Sequence, residues 1–337
     1  MRTPFSPRTS PALSAAPRTG AVAAALLAPG APRTSWGYAY IIAAALLWAT
    51  IGPAARFALR AGVQPLEISF WRAAIGGLLF ALHAAVRGRL RIERRDLPAV
   101  GGFALLGVTI FYWSYFRAVQ LGGAALAAIL LYTAPAWVAL SAALWLGERL
   151  TIRKSLAVGL TLTGIALVAL GSGANGLGDA SRSATRAPAL AWGLLAGLAY
   201  AAYYLFGKRY FARYEASTLF AYALPLGAVM LLPAVAFAPK SAADWLVLLF
   251  LGVVPTYGAY LLYSIGLARV EATRAATVAT LEPVAAAALA YAVWGEALRG
   301  LGYVGAALVL AGVLVVATER GVREAVQPPH EGPAPTT

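Results

Sequence analysis

The sequence has no cysteine and very little histidine or charge for its length. Without cysteine, the chain forms neither a disulfide nor a reactive thiol site. Histidine occurs only as His83 and His330 in 337 residues, so a histidine-based metal centre is not expected and no metal ligand is assigned. Charged residues make up 12% of the chain, about half the share of roughly 25% in soluble domains. These absences argue against a soluble domain.

Apolar residues take the place of the missing charge. They make up 61% of the chain, and the mean hydropathy is +0.72, which predicts a polytopic membrane protein. The net charge of +14 would suggest nucleic-acid binding in a soluble protein. Here the basic residues lie mostly in short gaps between apolar runs, as the positive-inside rule describes. We therefore expect a lipid bilayer, and no nucleic acid, as a partner.

Ten apolar stretches are long enough to cross a bilayer, which requires about 20 residues. A helix satisfies its own backbone within lipid, so each stretch is predicted to be helical. The ten predicted spans are 36–57, 65–86, 97–117, 123–146, 152–170, 189–209, 216–237, 243–266, 273–294 and 299–318.

The basic residues are divided unevenly between the two sides of the predicted membrane. With the N-terminus in the cytoplasm, the cytoplasmic segments hold 16 lysines and arginines and the opposite segments hold 7. This bias predicts a multi-pass protein of the plasma (inner) membrane with both termini cytoplasmic. Residues 1–35 and 319–337 are polar and are predicted to be disordered cytoplasmic tails. The short apolar run 21–28 leaves a removed signal segment open as an alternative.

A Gly/Ser-rich linker, 171–188, divides the spans five to five. Its formal GxGxxG at 171–176 lacks the preceding strand that a dinucleotide site needs. Shifting the sequence by 148 residues aligns the two halves without a gap over about fifty residues. Five helices are an odd number, so the second half enters the membrane in the opposite orientation, as an inverted repeat. The register pairs Pro135 with Pro283, Gly147 with Gly295, Glu148 with Glu296, Tyr112 with Tyr260 and Tyr115 with Tyr263.

The segments LYTAPAWVALSAALWLGERL (131–150) and ATLEPVAAAALAYAVWGEAL (279–298) resemble the EamA family of the drug/metabolite transporter superfamily. The opening AALLWATIGPAARFAL (44–59) is also similar to that family's first helix. The resemblance implies two five-helix repeats, at 36–170 and 189–318. It implies that helices 1–4 and 6–9 surround a central cavity, with helices 5 and 10 peripheral. It further implies a secondary transporter for a small metabolite, with no cofactor.

Two charged residues lie inside predicted spans and have no counterpart in the other half. Arg72 lies about 10 Å from the outer end of helix 2, and Glu282 lies about 13 Å from the inner end of helix 9. A charge at the bilayer centre costs about 2.5–3.5 kcal/mol on insertion scales, so it usually faces a cavity or a partner. Arg72 could also extend to the membrane surface. We expect both residues to bind substrate, and we hypothesise that they approach each other near the midplane.

Aromatic residues form the second set of candidate substrate contacts. Tyr112 and Tyr115 share one face of helix 3, and the repeat places Tyr260 and Tyr263 at the same positions of helix 8. They could stack against a flat solute or belong to an interfacial aromatic belt. The same reasoning gives weaker candidates, which are Trp48 in helix 1 and Tyr200, Tyr203 and Tyr204 in helix 6.

Matched prolines and a matched Gly–Glu pair are predicted to shape the helices. Pro135 and Pro283 remove backbone donors and could act as hinges or as static kinks. Glycine at the end of each fourth helix is predicted to terminate it. The glutamate that follows is predicted to lie near the N-terminus of the next helix, where negative charge is favourable. These residues are Gly147 and Glu148 in the first half, and Gly295 and Glu296 in the second.

We therefore predict a secondary transporter, not an enzyme, that exports an amino acid, aromatic or drug-like solute by alternating access between the repeats. The alternatives are a lipid-linked transferase or a non-transporting membrane scaffold. No catalytic residue is assigned, because clustered carboxylates or a nucleophile with a base are missing from the loops. Proton coupling through Glu282, facilitated diffusion, and a homodimer through helices 5 and 10 remain open.

Overall fold

The computed structural model describes residues 31–171, 183–295 and 297–318, and its fold is all-α. These ranges contain ten helices that are long and apolar enough to cross a membrane, which confirms the predicted architecture. In chain order the helices are α1 (Trp36–Arg60), α2 (Pro65–Val86), α3 (Arg94–Gly123), α4 (Leu126–Trp145), α5 (Ile152–Leu170), α6 (Ala187–Tyr210), α7 (Ala216–Ala234), α8 (Ala242–Leu267), α9 (Ala272–Trp294) and α10 (Gly300–Thr318).

Several boundaries differ from the sequence prediction by a few residues. The sequence predicts that helix α3 ends at Arg117, but the helix continues for six residues, and the Arg117 guanidinium donates to the Gln120 side chain at 3.0 Å. The helix ends at Gly123, whose φ of +81° is left-handed. Residues 31–35 and 183–188, predicted to be tail and linker, are helical. The rest of the predicted tails and linker, and Glu296, lie outside the described residues.

Helices α1, α4 and α9 are each interrupted close to a proline. The interruptions lie at Thr50, Thr133 and Thr280, and in α4 and α9 the proline is the predicted Pro135 or Pro283. Each threonine hydroxyl donates to the carbonyl three residues earlier, at 2.5–2.6 Å. The missing proline N–H and the hydroxyl bond together replace the regular helical pattern at these points.

The interruptions create helix segments that pack differently, and four of them matter for the site. We name them α1b (Ile51–Arg60), α4b (Ala134–Trp145), α9a (Ala272–Ala279) and α9b (Leu281–Trp294). The start of α1 and the end of α10 lie on one side of the bundle, which we call the terminal side. Segments α4b and α9a reach this terminal side, and α1b and α9b reach the opposite side.

Helices α3 and α8 each contain a π-helical segment. The segments are Ala104–Ile110 and Val253–Gly258, and the 148-residue register of the sequence repeat superimposes their positions. A π-turn inserts one extra residue into a helix and is often found at functional sites. The two halves of the chain therefore share an irregularity that periodicity alone does not reveal.

Helices α5 and α10 pack chiefly against each other, at the periphery of the bundle. Their backbones approach closely because Gly164 faces Gly305. A Cβ added at Gly164 would lie 2.6 Å from the Gly305 carbonyl oxygen and 2.8 Å from the Val309 nitrogen. Close approach at small residues is a usual way for membrane helices to associate. The remaining helices surround the aromatic centre described next.

Candidate functional site

Four aromatic rings from three helices meet at the centre of the bundle. The ring centroid of Trp48 lies 5.1 Å from that of Tyr263, 5.8 Å from that of Tyr260 and 6.4 Å from that of Tyr203. Helix α1 supplies the tryptophan, α6 supplies Tyr203, and α8 supplies the other two. The structure thus brings together Trp48, Tyr260 and Tyr263 with Tyr203, one of the weaker candidates of helix 6.

Three hydroxyl groups in this region have no hydrogen-bond partner among the described residues. They belong to Tyr112, Tyr203 and Tyr263, whose residues are 5%, 4% and 0% exposed. An unpaired buried hydroxyl costs free energy, so it usually indicates a place for a ligand or water. Residues of a lipid-facing aromatic belt would instead be exposed. The burial of Tyr112 therefore favours a position inside the bundle over a place in an interfacial aromatic belt.

Arg72 points into the bundle rather than toward the membrane surface. It is 9% exposed, and its Nε donates to the Thr256 hydroxyl on α8 at 3.2 Å. Its guanidinium carbon lies 5.7 Å from the centre of the Tyr112 ring. Thr256 belongs to the π-helical segment of α8, where its own hydroxyl donates to the Leu251 carbonyl at 2.8 Å. The π-turn therefore determines where the guanidinium is held.

Glu282 lies at the start of α9b, beside the Tyr132 hydroxyl. It is half-buried. Arg72 is within electrostatic range of its carboxylate. No ion pair within 4.0 Å joins these two described residues, so the hypothesised approach does not take the form of a direct salt bridge. Three further tyrosines are within electrostatic range of Glu282: Tyr115, Tyr200 and Tyr204.

The two halves of α9 differ completely in burial. Every residue of α9a is buried, whereas none of the described residues of α9b is. A helix packed on a bundle buries at least one face, so the inner face of α9b must border an accessible space. Segment α1b is similar, with Ala58 as its one buried residue. The segments around the site are therefore packed closely on the terminal side and more loosely on the opposite side.

The repeat makes this difference more informative. The register that pairs Pro135 with Pro283 also pairs α4b with α9b. Six residues of α4b are buried, among them Pro135 and Val138. Equivalent segments of the two halves thus pack tightly in one case and loosely in the other.

A carboxylate from the first half closes the terminal side. The Glu148 oxygens accept hydrogen bonds from the backbone nitrogens of Ala272, at 2.7 Å, and Thr273, at 3.3 Å. The Thr273 hydroxyl adds a third bond at 2.8 Å. The sequence predicts Glu148 near the N-terminus of the next helix, α5, but its hydrogen bonds go to the N-terminus of α9a instead. The Glu148 carboxylate therefore stabilises a helix N-terminus as predicted, but that helix belongs to the other half of the chain.

Ion pairs around Glu271 reinforce this cap. Lys154 Nζ lies 3.0 Å from a Glu271 oxygen, and Arg274 Nε lies 2.7 Å from it. Burial raises the pKa of Glu271, but its bonds and attraction to Lys154 and Arg274 outweigh burial, so the pKa lies below its ordinary value of 4.5. We call the contacts of Glu148, Lys154 and Glu271 with α9a the terminal-side closure.

The predicted glycines lie at helix ends. Gly147 and Gly295 both have φ of +69°, the left-handed conformation in which glycine ends a helix at little cost. Glu296 lies outside the described residues. Within the described ranges, no group of three or more acidic, histidine or cysteine residues is placed to hold a metal ion.

Sequence reasoning missed Thr256 and Tyr132, which contact the two internal charges. Thr256 follows Pro255 inside a predicted span, and a proline followed by a hydroxyl residue is a signal of local irregularity. Tyr132 directly precedes the interruption of α4. In both cases the neighbouring proline was the available signal.

Comparison with known proteins gives a consistent picture. A family model described as the EamA-like transporter family matches two stretches of the chain, residues 35–170 and 187–318. An uncharacterized transporter of Archaeoglobus fulgidus is 30% identical over 83% of this chain and 96% of its own length. A crystal structure of 24% sequence identity superimposes with a TM-score of 0.72 over 85% of this chain and 96% of its own, which shows a common fold.

Two relatives carry more specific names. A probable terminal-alkyne amino-acid exporter of Streptantibioticus cattleyicolor is 27% identical over 82% of this chain and 91% of its own length. The aromatic amino acid exporter YddG of Ancylobacter novellus is also 27% identical, over 81% and 93% respectively.

Proposed function

This chain belongs to the EamA-like transporter family, and from that premise we propose that it exports amino acids with apolar or aromatic side chains by alternating access. The membrane transporter class follows from the family and excludes the transferase alternative. The substrate is inferred from the names of the amino-acid exporters it resembles. The aromatic walls of the cavity suit such side chains.

One observation supports alternating access above the others. Segment α9a is wholly buried, and α9b, in the same helix, has no buried residue. This is the geometry expected of a carrier open on one side only. In the other state, the terminal-side closure would open and α9b would pack against the bundle, as α4b does now.

The orientation and the assembly are also proposals. With both termini cytoplasmic, as the distribution of basic residues predicts, the described state is open to the outside of the plasma (inner) membrane. A homodimer would use the outward faces of α5 and α10, because the Gly164 and Gly305 faces are occupied within the chain.

Efflux from proteoliposomes tests transport directly. Vesicles containing the purified chain should release labelled phenylalanine saturably, and vesicles without protein should not. Absence of saturable efflux for phenylalanine and for a panel of other amino acids would refute the proposed function.

Thiol labelling tests alternating access, because the chain has no cysteine of its own. Ala276→Cys places a thiol in buried α9a, and Ala286→Cys places one in α9b, one turn after Glu282. Without substrate, the thiol in α9b should react with a maleimide much faster. Adding a transported amino acid should accelerate the maleimide reaction of the thiol in α9a and slow the reaction of the thiol in α9b. Parallel changes in both rates would contradict alternating access.

A further inference from the structure

Two groups of opposite charge lie inside the bundle, one around Arg72 of the first half and one around Glu282 of the second. The cationic pole consists of Arg72 with Thr256 and Tyr112, from α2, α8 and α3. The anionic pole consists of Glu282 with Tyr132, from α9 and α4. The immediate polar neighbours of the two poles do not overlap.

Within the described residues, neither charge is neutralised by a direct ion pair. The Arg72 guanidinium has one hydrogen-bond acceptor there, the Thr256 hydroxyl, which takes only its Nε proton. Glu282 interacts with the Tyr132 hydroxyl, a neutral partner. Opposite charges in a membrane interior normally pair, so two that remain apart leave room for a ligand between them.

Aromatic residues neighbour both poles. Tyr260 is in electrostatic range of Arg72, and Tyr204 is in electrostatic range of Glu282. The Trp48 ring contacts that of Tyr260, and the Tyr203 ring contacts that of Tyr204. The unpaired hydroxyls of Tyr112 and Tyr203 add hydrogen-bonding capacity without charge. A ligand that fits this arrangement carries one positive group, one negative group and an apolar body.

We infer that the cavity recognises both charges of a zwitterionic amino acid: Glu282 binds its ammonium group and Arg72 binds its carboxylate, while the aromatic residues contact its side chain. A guanidinium presents paired N–H donors that match a carboxylate. A carboxylate bordered by tyrosines is a favourable site for an ammonium group. This inference rests on the proposed amino-acid transport and assigns the residues that select for it.

The experiment compares a zwitterion with its two half-molecules. Phenylalanine carries both charges, phenethylamine only the ammonium, and 3-phenylpropanoate only the carboxylate. Their binding to the purified full chain in detergent is measured by the ligand-dependent rise in unfolding temperature. Since each charged contact contributes substantially, phenylalanine should bind about tenfold or more tightly than either half-molecule. A half-molecule that binds as tightly as phenylalanine would overturn the inference without any variant.

Two variants then assign each charge to its residue. Glu282→Gln should weaken phenylalanine and phenethylamine about tenfold or more and leave 3-phenylpropanoate unchanged, and Arg72→Gln should weaken phenylalanine and 3-phenylpropanoate instead. If either variant fails to fold, Glu282→Asp and Arg72→Lys keep the charge and should show the same pattern in weaker form. A variant that shifts all three compounds alike would show a structural role and overturn the assignment.

Glu67→Gln is the matched control. Glu67 is a buried carboxylate in α2, paired with Lys240 on the side opposite the termini. It also accepts from the Trp71 indole at 3.2 Å, and it does not contact either pole. This variant should lower the unfolding temperature and leave the relative affinities of the three compounds unchanged. If phenylalanine efflux is observed and the half-molecule pattern is not, the proposed function stands and the two-pole inference fails.

Discussion

Replacing Glu148 with alanine removes the central contact of the terminal-side closure. Three hydrogen bonds to Ala272 and Thr273 are lost together, two of them at 2.7 and 2.8 Å. Hydrogen bonds to a charged group contribute about 1.5–3 kcal/mol each, and a helix cap contributes about 1 kcal/mol. Because the three bonds share one half-buried carboxylate, we expect a total of about 2–4 kcal/mol rather than three independent contributions.

This loss acts on the balance between two states of the transporter. The hydrogen bonds exist only while α9a is packed against the first half, so they stabilise the state closed on the terminal side. Destabilising that closed state by about 3 kcal/mol relative to the open state raises the ratio of open to closed molecules by roughly a hundredfold. Glu148→Ala should therefore expose α9a without disrupting the remaining helices.

The rate of thiol modification measures the change. With Ala276→Cys as the single thiol, maleimide reacts in proportion to the population in which α9a is exposed. Adding Glu148→Ala should accelerate the reaction about 30-fold or more, which corresponds to the lower end of the 2–4 kcal/mol given above. A second reporter, Ala223→Cys in the buried face of α7, should keep its rate, since global unfolding would accelerate both.

Glu93→Ala provides the matched control. Glu93 lies in the loop before α3, on the same side, and pairs with Arg95 at 2.6 Å. It makes no described contact with α9a, so its loss changes the net charge equally and should leave the thiol at position 276 slow. Equal rates in Glu148→Ala and its parent, or equal acceleration by Glu93→Ala, would refute the role assigned to the cap.

Three further outcomes follow from the packing and the charges. Thr256→Val removes the hydroxyl that accepts from Arg72, so the KM for phenylalanine efflux should rise about three- to tenfold, and Thr256→Ser should restore it. An unchanged KM in Thr256→Val would contradict the role assigned to Thr256. The pKa of Glu271 is lowered in the folded state, so its contribution to stability is present above pH 4.5 and is lost as the pH falls below it. The unfolding temperature should therefore drop on acidification, and it should drop less steeply in Lys154→Met. Equal slopes in the two proteins would argue against the ion pair. Gly164→Ala should destabilise the fold by about 1–3 kcal/mol through overpacking. In the control Gly159→Ala, on the same helix, the added Cβ meets nothing within 4 Å, so this variant should be neutral or slightly stabilising. Equal unfolding temperatures of the two variants would exclude the close contact at Gly164.

The arrangement of helices was accessible from sequence because a membrane allows few alternatives. A run such as 299–318 has no charge after Arg299, and its length matches the bilayer. Helix ends were less accessible. Helix α3 continues past Arg117, whose guanidinium donates to the neutral Gln120 side chain, and hydropathy does not detect such a local bond.

The site was accessible by residue type but not by partner. Arg72 and Glu282 were found because charge inside a span is costly. The partner of Arg72 depends on a π-turn, which has no periodic signature, and the partner of Glu148 lies 124 residues away along the chain. Both contacts form only when the two halves of the chain pack together. A sequence repeat predicts that the halves are related, but it does not predict which residues of one half touch the other.

The π-helical segments of α3 and α8 also bear on how this cavity changes during evolution. A π-turn holds one residue more than an α-helix would, so deleting a residue within Val253–Gly258 restores regular geometry. The deletion would rotate one side of the helix by about 100° relative to the other. Thr256 would then leave Arg72, while the ends of α8 keep their places in the bundle. Single-residue insertions and deletions at these segments thus offer a route to new substrate preferences that leaves the scaffold intact.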